Sequence, residues 1–344
     1  MTDLYDRTYD ELAAWFTERG LPAYRAGQVF RWLARGVSDY AEMTDLPKDL
    51  RAALAAEFRV DGLFVERKLV SADDDTVKYV FRLHDGNVIE SVLMKYRHGY
   101  SVCISSQAGC RMGCTFCAST LAGFGRDLSA GEMLGQVARI GADCGARISN
   151  VVVMGIGEPL DNYDELVRFP RLLNDARGLG VGLRHVSVST CGVVPRMLDF
   201  TDEGLPVTLS VSLHAPNDAI RRQLMPVARS FPIEDLLEAC RRHVERTGRR
   251  ISFEYSMFQG VNDRPEHARE LARRLRGLQC HVNLIPANEF AGGTYRRSRS
   301  EAVRAFQGIL EAEGINATVR RELGTDIEAA CGQLRRRLEE TETQ

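Results

Sequence analysis

Strand-like and helix-like segments alternate along the chain from residue 101 onward. Six short apolar segments read as strands, and helical patterns follow most of them; the six are SVCISS, ISNVVVMG, HVSVST, VTLSVSLH, ISFEYSMF and CHVNLIP. This alternation is typical of βα units, whose strands run parallel because each helix returns the chain to the same end of the sheet. The pattern predicts an α/β fold, either an open doubly wound sheet or a partial barrel. No GxGxxG follows the first strand at helix-start spacing, which argues against a dinucleotide-binding fold.

Residues 1–100, which precede this region, consist of a helical part and a strand-like part. Residues 1–60 are helical in pattern, with a capping box at Thr8 and Glu11, and predict an α-helical accessory domain. Residues 61–100 contain VKYVFRL and VIESVLMKY on either side of HDGN, which predicts a β-hairpin extension. We therefore divide the chain into residues 1–60, 61–100 and a core of 101–338.

The composition limits the class of protein. The chain of 344 residues is 44% hydrophobic, with no apolar run near the 18 residues of a membrane helix and no secretory leader, so we expect a cytoplasmic protein without a membrane partner. The net charge of −2 is not that of a general nucleic-acid binder, although all but four of the 45 basic residues are arginine, which suits phosphate. Nine cysteines in such a chain indicate metal or redox chemistry rather than a disulfide framework.

Three of these cysteines form a compact cluster. Cys110, Cys114 and Cys117 fall within GCRMGCTFCAS, where Gly109 and Gly113 oppose a helix and favour a wrapping loop. Thiolates select zinc, copper(I) or iron–sulfur clusters, but zinc sites usually have four protein ligands and no second CxxC lies nearby. A [4Fe-4S] cluster held by three cysteines would leave one iron open to a small molecule. Zinc with a remote fourth ligand, and packed cysteines without metal, are the alternatives.

The cysteine spacing also carries a resemblance to a known family. CxxxCxxC with Phe116 before its last cysteine resembles the radical S-adenosylmethionine (SAM) superfamily. Further stretches, in order from about residue 5 to about 335, resemble the RlmN branch of the RlmN/Cfr adenosine methyltransferases; they are SVCISSQAGCRMGCTFCAS, MGIGEPLDN, VSVSTCGVVP, SLHAPND, GVND, HVNLIP and DIEAACGQL. The resemblance implies a partial (β/α)6 radical-SAM barrel with ligand residues at the carboxyl ends of its strands.

The resemblance also implies the cofactors and the residues that bind them. One [4Fe-4S] cluster would be held by Cys110, Cys114 and Cys117, and two molecules of SAM would be used per turnover. The positions that match SAM contacts in the family lie at or just after predicted strands; they are Gly157, Glu158, Ser189, Ser212, Leu213, His214 and Asn288. Any one of them alone could equally be a polar or apolar residue that serves only the strand end.

Three catalytic roles follow from the same resemblance. Cys331 would carry a methyl group received from SAM, Glu90 would remove a ring proton from the RNA, and Cys103 would attack the Cys331 sulfur to release the product as a disulfide forms. Without the resemblance, both cysteines would be read as buried structural thiols and Glu90 as an edge-strand carboxylate.

The implied substrates are an adenosine in the peptidyl-transferase region of 23S rRNA and the adenosine 3′ of certain tRNA anticodons, and we expect the helical domain of residues 1–60 to bind the RNA. The implied electron donor is a flavodoxin or ferredoxin, and we expect a monomer. Pro159, Ala215 and Pro286 resemble the carbon-2 branch rather than the carbon-8 branch typified by Cfr. The alternatives are a carbon-8 methyltransferase and a non-catalytic zinc or iron–sulfur RNA-binding protein.

Overall fold

The structure is a computed structural model that describes residues 1–120, 123–288 and 294–327. Its helices are α1 Tyr9–Glu18, α2 Arg25–Ala34, α3 Lys48–Glu57, α4 Ala130–Cys144, α5 Tyr163–Asn174, α6 Val194–Asp202, α7 Asp218–Leu224, α8 Ile233–Thr247, α9 Pro265–Leu275 and α10 Ser300–Ala312. Its strands are β1 Thr2–Asp3, β2 Phe58–Arg59, β3 Leu63–Val70, β4 Val77–Leu83, β5 Val88–Tyr96, β6 Gly99–Ile104, β7 Gln107–Gly109, β8 Phe124–Asp127, β9 Ile148–Val153, β10 Val186–Thr190, β11 Thr208–Ser212, β12 Ile251–Met257, β13 Cys280–Pro286 and β14 Ala317–Val319. Cys331, the predicted methyl carrier, lies outside the described residues.

Ten strands form one sheet in the order β14-β13-β12-β11-β10-β9-β6-β5-β4-β3. The strands from β6 through β9 to β14 pair in parallel, and their order in space follows their order in the sequence. A doubly wound sheet would reverse its strand order at a switch point. The uninterrupted order therefore excludes that alternative and agrees with the partial barrel. The six predicted strands are confirmed, and the short β14 adds a seventh parallel strand that the sequence pattern did not reveal.

The other end of the sheet is antiparallel. Strands β4 and β5 form the predicted hairpin, and β3, which was not predicted, pairs with β4 as the terminal strand of the sheet. A register shift between Val65 and Arg67 interrupts the pairing of β3 with β4. The hairpin joins the parallel strands through β5 and β6, which pair antiparallel. The extension is thus part of the same sheet as the core.

The amino-terminal helical segment packs against α4, which lies on the sheet. The predicted capping box of α1 forms, because Thr8 and Glu11 exchange hydrogen bonds at its start, and Ser129 and Glu132 form another capping box at the start of α4. Leu12 and Phe16 of α1 belong to the same continuous hydrophobic cluster as the sheet, and burial of each such side chain contributes about 1.5–3 kcal/mol. Within the described residues, no helix has both the length and the apolar character needed to cross a membrane.

Candidate functional site

The three clustered cysteines lie in and around the loop that joins β7 to β8, two short strands that pair antiparallel. This loop docks on the end of α7, where the backbone N–H of Thr115 donates to the carbonyl oxygen of Leu224 at 3.0 Å. Within the loop, the Thr120 hydroxyl donates to the carbonyl oxygen of Cys117 at 2.8 Å. Met112, Cys114 and Phe116 also pack against Leu224 and its neighbours in one small hydrophobic cluster. The loop is therefore held on both sides, which fixes the direction of its thiols.

The three thiols of this loop are a donor set that fits an iron–sulfur cluster. Burial, followed by the charges of Cys117 and Glu158, raises the pKa of Cys110 to about 12, and burial also raises the pKa of Cys114. Ligation must therefore replace the thiol protons with a cation. Each cysteine ligand of a [4Fe-4S] cluster binds a separate iron, so three buried or half-buried thiols spaced along one loop suit that group.

A cleft of about 250 Å³ opens beside the last of these cysteines, at the carboxyl ends of the parallel strands. Four of the predicted SAM contacts line it together with Cys117; they are Ser189, Ser212, His214 and Asn288. Parallel strands end at a common edge, so residues distant in sequence converge there. The structure thus brings these five predicted residues together around one cavity.

His214 is held in an uncommon conformation at the wall of this cleft. Its φ is 53°, and it is the only non-glycine residue with a positive φ in the described part of the chain. The Ser256 backbone N–H donates to Nδ1 of His214 at 2.8 Å, and the Asn262 side chain donates to the His214 carbonyl oxygen at 2.7 Å. Burial, and then the Arg221 charge, lowers the pKa of His214 to about 3. The ring is therefore neutral, and because Nδ1 accepts, its proton is on Nε2.

Gly157, Glu158 and Leu213 do not line the cleft, although all three were predicted to contact SAM. The side chain of Leu213 is fully buried in the core, so only its backbone could contact a ligand. The Glu158 carboxylate accepts hydrogen bonds from the backbone N–H groups of Cys191 at 2.6 Å and Leu160 at 3.1 Å. Burial raises the pKa of Glu158. This carboxylate organises the loop after β9 from within, and its contact with a ligand stays a prediction.

Position 157 requires a glycine because of its backbone conformation and its close neighbours. Its φ is 114°, and a Cβ at this position would lie 2.7 Å from Cβ of Gln107 and 2.7 Å from Oγ of Ser106. The same Gln107 accepts a hydrogen bond from the Glu158 backbone N–H at 2.8 Å and donates to Asp127 at 2.7 Å. The loop after β9 is thus packed against the strand that leads into the cysteine loop.

Two charged residues of the cleft were missed from the sequence. Glu254 is buried and accepts a hydrogen bond from the Asn283 side chain at 2.7 Å, while Arg320 follows β14 and is exposed. Burial raises the pKa of Glu254, which the Asn283 hydrogen bond and then the Arg320 charge oppose. An acid inside the apolar strand ISFEYSMF was a signal that could have identified Glu254. Arg320 carried no such signal, because β14 was not predicted.

Glu90 on β5 and Cys103 on β6 lie on the same face of the sheet. Glu90 of β5 is opposite Val80, and Val92, two residues further along β5, is opposite Cys103. Residues opposite one another, and residues two apart on a strand, share a face. Glu90 is 3% exposed and Cys103 8% exposed. Cys103 packs in a cluster with Met154, and Met154 also lines the cleft, so this face adjoins the cavity.

Buried Lys78 is a further residue of this face that the sequence did not reveal. It is opposite Val92 on β4 and is fully buried, two positions from the residue that pairs with Glu90. A lysine is rarely buried in this way unless it is paired. The face thus combines the carboxyl group of Glu90, the amino group of Lys78 and the thiol of Cys103. Its position inside VKYVFRL, an otherwise mostly apolar strand, was the available signal.

Comparison with known proteins identifies the class first. The Radical SAM superfamily matches residues 104–272, and the ribosomal RNA large subunit methyltransferase N-terminal domain matches residues 2–60. A radical SAM methyltransferase from Sphaerobacter thermophilus has a similar crystal structure, with a TM-score of 0.93, 46% identity, and coverage of 97% of this chain and 99% of that one. The fold and the cysteine loop are those of a radical SAM protein.

Curated relatives then identify the family. A probable dual-specificity RNA methyltransferase RlmN from Thermoanaerobacter sp. is 50% identical over 338 residues, which are 98% of each chain. Another from Lachnoclostridium phytofermentans is 51% identical over 335 residues, covering 97% of this chain and 94% of the relative. The chain belongs to the RlmN family of radical SAM methyltransferases, as its sequence motifs predicted.

Proposed function

We propose that this enzyme methylates carbon 2 of an adenosine in the peptidyl-transferase region of 23S rRNA and of the adenosine 3′ of some tRNA anticodons. The relatives named as dual-specificity RNA methyltransferases support both substrates. The observation that carries the proposal is the adjacency of the cleft to the face that bears Glu90 and Cys103, through the shared residue Met154. In this arrangement the cleft would bind the small cofactor, and the adjacent face would act on the adenine base of the RNA.

The cleft supplies the cofactor side of the reaction. Cys110, Cys114 and Cys117 would hold three irons of a [4Fe-4S] cluster, and SAM would occupy the cleft beside Ser189 and His214. When bound, the cluster supplies the electron that cleaves SAM to a carbon-centred radical. The neutral His214 ring can donate from Nε2 without adding charge, which suits a site that must bind a sulfonium cation.

The protein thiols supply the route to a carbon that is not nucleophilic. Carbon 2 of adenine is electron-poor and cannot displace a methyl group from SAM. The Cys331 thiolate can, and the S–CH3 bond forms as S-adenosylhomocysteine leaves. The radical derived from a second SAM would take a hydrogen atom from the S–CH3 group, and the resulting carbon radical would bond to carbon 2. Loss of one electron back to the cluster and of the ring proton to Glu90 would restore the aromatic ring. The Cys103 thiolate would then attack the Cys331 sulfur, and the S–C bond would break with its electron pair on the methylene carbon, which takes up a proton, so that a disulfide forms and the methylated base leaves.

The base must reach the cleft with its ring edge free. An unpaired or flipped adenosine meets that requirement, since a stacked base in a duplex would not fit a cleft of about 250 Å³. A flavodoxin or ferredoxin as electron donor, a monomeric state and a cytoplasmic location are further parts of the proposal, on the strength of the family resemblance.

The direct test is nucleoside analysis of rRNA and tRNA from cells that lack their own enzyme and express this one. We expect 2-methyladenosine in both RNAs. Finding 8-methyladenosine alone would identify the sister activity instead, and finding zinc without SAM cleavage in anaerobically reconstituted protein would exclude the enzyme altogether.

The resolving thiol can be tested separately by Cys103→Ala. We expect this variant to accumulate a covalent protein–RNA adduct, measured as a mass-shifted band that nuclease treatment collapses. Cys144→Ala is the matched control, since Cys144 lies at the end of α4 and donates only to backbone carbonyls there. Normal turnover of Cys103→Ala would contradict the proposed role.

A further inference from the structure

The segment of residues 320–327, here called the strap, connects the two ends of the ten-stranded sheet. It leaves β14, the terminal strand at one end, where the Arg320 backbone N–H donates to the carbonyl oxygen of Leu284 at 2.8 Å. It reaches the turn of residues 71–76 between β3 and β4, at the other end. The strap therefore crosses the opening of the partial barrel.

The strap contacts the face of Cys103 on its way. Leu323 packs against the cluster formed by Val92, Met94 and Cys103. One residue earlier, Glu322 forms an ion pair with Arg297 at 2.5 Å. The strap is thus seated between the cleft and the thiol face, rather than against the outer helices.

The far end of the strap is anchored by two carboxylates. Asp326 accepts a hydrogen bond from the Ser71 hydroxyl and another from the Ala72 backbone N–H, both at 2.7 Å. In the opposite direction, Asp74 accepts a hydrogen bond from the Gly324 backbone N–H at 2.9 Å. Hydrogen bonds to ionised acceptors are stronger than neutral ones, so these three contacts form a specific clasp.

The turn that receives the strap is organised by its own residues. The Ser71 hydroxyl oxygen accepts hydrogen bonds from the backbone N–H groups of Asp73 and Asp74, both at 3.1 Å. The Asp74 carboxylate also accepts from the Thr76 backbone N–H at 2.8 Å. These hydrogen bonds lie within the turn and use no atom of the strap, so the turn has its own internal support.

We propose that Asp326, Ser71 and Asp74 are positioning residues that confine Cys331 to the neighbourhood of Cys103. This inference rests on the proposed function, because it gives the methyl-carrying cysteine its partner. Cys331 lies five residues beyond Asp326, a span of at most about 18 Å, but eleven residues beyond Arg320, a span of up to about 40 Å. The clasp thus shortens the tether between the last anchored residue and Cys331, and effective concentration scales roughly as the inverse 3/2 power of tether length, so a tether of eleven rather than five residues lowers it about threefold.

The experiment measures that effective concentration directly. Full-length enzyme with its cluster reconstituted is equilibrated anaerobically in glutathione redox buffers, and the Cys103–Cys331 disulfide is quantified by alkylation and peptide mass spectrometry. We expect Asp326→Ala combined with Asp74→Ala to lower the effective concentration about threefold, and Asp326→Ala alone, which leaves the Gly324–Asp74 hydrogen bond, to lower it by a smaller factor. Asp326→Asn retains one acceptor oxygen and should recover part of the loss.

Asp75→Ala is the matched control. Asp75 belongs to the same turn, but it pairs with Lys95 at 3.1 Å, and neither of the hydrogen-bonding carboxylates of the clasp is its own. This variant should match the wild type in disulfide equilibrium and in RNA methylation. Iron content and cleavage of SAM to 5′-deoxyadenosine should be equal in all variants, because a merely structural lesion would lower them together.

The outcomes separate the clasp from the proposed function. If Asp326→Ala leaves both the disulfide equilibrium and RNA methylation unchanged while the wild type makes 2-methyladenosine, the clasp is overturned and the function stands. If the wild type fails to methylate RNA but Asp326→Ala still weakens the disulfide, the function is overturned and the clasp stands.

Discussion

The parallel and antiparallel parts of the sheet position functional residues in different ways. Strands β9 to β13 end at one edge, so single residues from successive strands, such as Ser189, Ser212 and Asn288, converge around a cleft. Strands β4, β5 and β6 instead present Glu90 and Cys103 along a face, through side-by-side register. Converging ends enclose a small molecule, whereas a face accepts a chain segment or a large substrate. The two proposed chemistries thus correspond to the two kinds of strand pairing.

The largest expected effect comes from removing the cluster at the parallel part. Cys114→Ala should reduce SAM cleavage and RNA methylation to background, because the remaining two thiols cannot hold a [4Fe-4S] cluster. Iron and sulfide assays and 5′-deoxyadenosine measurement test it. Cys280→Ala at the start of β13 is the control and should retain iron. Full cleavage activity in Cys114→Ala would show that the cysteine loop is not the cofactor site.

The next largest effect should distinguish the function of the antiparallel part from that of the parallel part. Glu90→Gln should lower formation of methylated RNA at least about 100-fold, the usual value of a general base, while SAM cleavage continues. Product nucleosides and 5′-deoxyadenosine are measured on the same sample. Glu66→Gln on neighbouring β3, whose carboxylate pairs with Arg82 on the exposed side, should behave as wild type. Equal loss of both activities in Glu90→Gln would place this residue with the cofactor instead.

A packing change should weaken the parallel part alone. Gly157→Ala places a Cβ 2.7 Å from Gln107 and Ser106 at a φ of 114°, and should lower the free energy of unfolding by about 3 kcal/mol. Gly86→Ala, in the β4–β5 turn, also has a positive φ, but its Cβ meets nothing within 4 Å, so we expect about 1 kcal/mol. Chemical denaturation measures both. Equal losses would show that conformation, and not contact, decides the cost.

The effect that is smallest near neutral pH is a pH dependence of stability in the helices that cover the parallel part. The Thr201 hydroxyl donates to the Met197 carbonyl, so its oxygen accepts from Nδ1 of His243, and Nε2 has no hydrogen-bond partner among the described residues. Burial, and then Arg249, lowers the pKa of His243 from 6.5 to about 4. The lowered value means that the stability from this group is present above pH 6.5 and is lost as pH falls toward 4, by about 1.4 kcal/mol per pH unit.

His243→Gln should therefore flatten the decline of unfolding free energy between pH 6.5 and pH 4. His98→Gln, at an exposed histidine of the β5–β6 turn in the antiparallel part, should leave the slope unchanged. Denaturant titrations at several pH values measure the slope. Identical slopes in both variants would assign the pH dependence to other groups.

The sequence predicted the parallel part well because its signals are local. Each strand is a short apolar run, each capping box spans only four residues, and the three clustered cysteines lie in one loop. Predicted residues at strand ends, such as Ser189 and His214, do meet at one cleft. The side chains of Glu158 and Leu213 do not line it, because residues adjacent in sequence can point into the core.

Two contacts of the antiparallel part were not visible in the sequence, for different reasons. Strand β3 is mostly exposed, and its consecutive charged residues Glu66, Arg67 and Lys68 interrupt the apolar pattern, so its pairing with β4 left little periodic signal. Asp326 and Ser71 are 255 residues apart, and neither belongs to a motif that would link them. Glu254 and Lys78 lie within mostly apolar strands, where a single charged residue in the sequence does not distinguish a buried site residue from an exposed one.

Strand β3 has a consequence for how the protein behaves at high concentration. An edge strand can add a strand from another molecule, and flat apolar edges aggregate in this way. Phe64, Val65 and Val70 are exposed on β3, but Glu66, Arg67 and Lys68 stand between them, and the register shift at Val65 and Arg67 disturbs the flat pairing surface. The same residues that obscured this strand in the sequence therefore oppose intermolecular sheet growth, and they would be poor choices for replacement in any effort to crystallise or stabilise the enzyme.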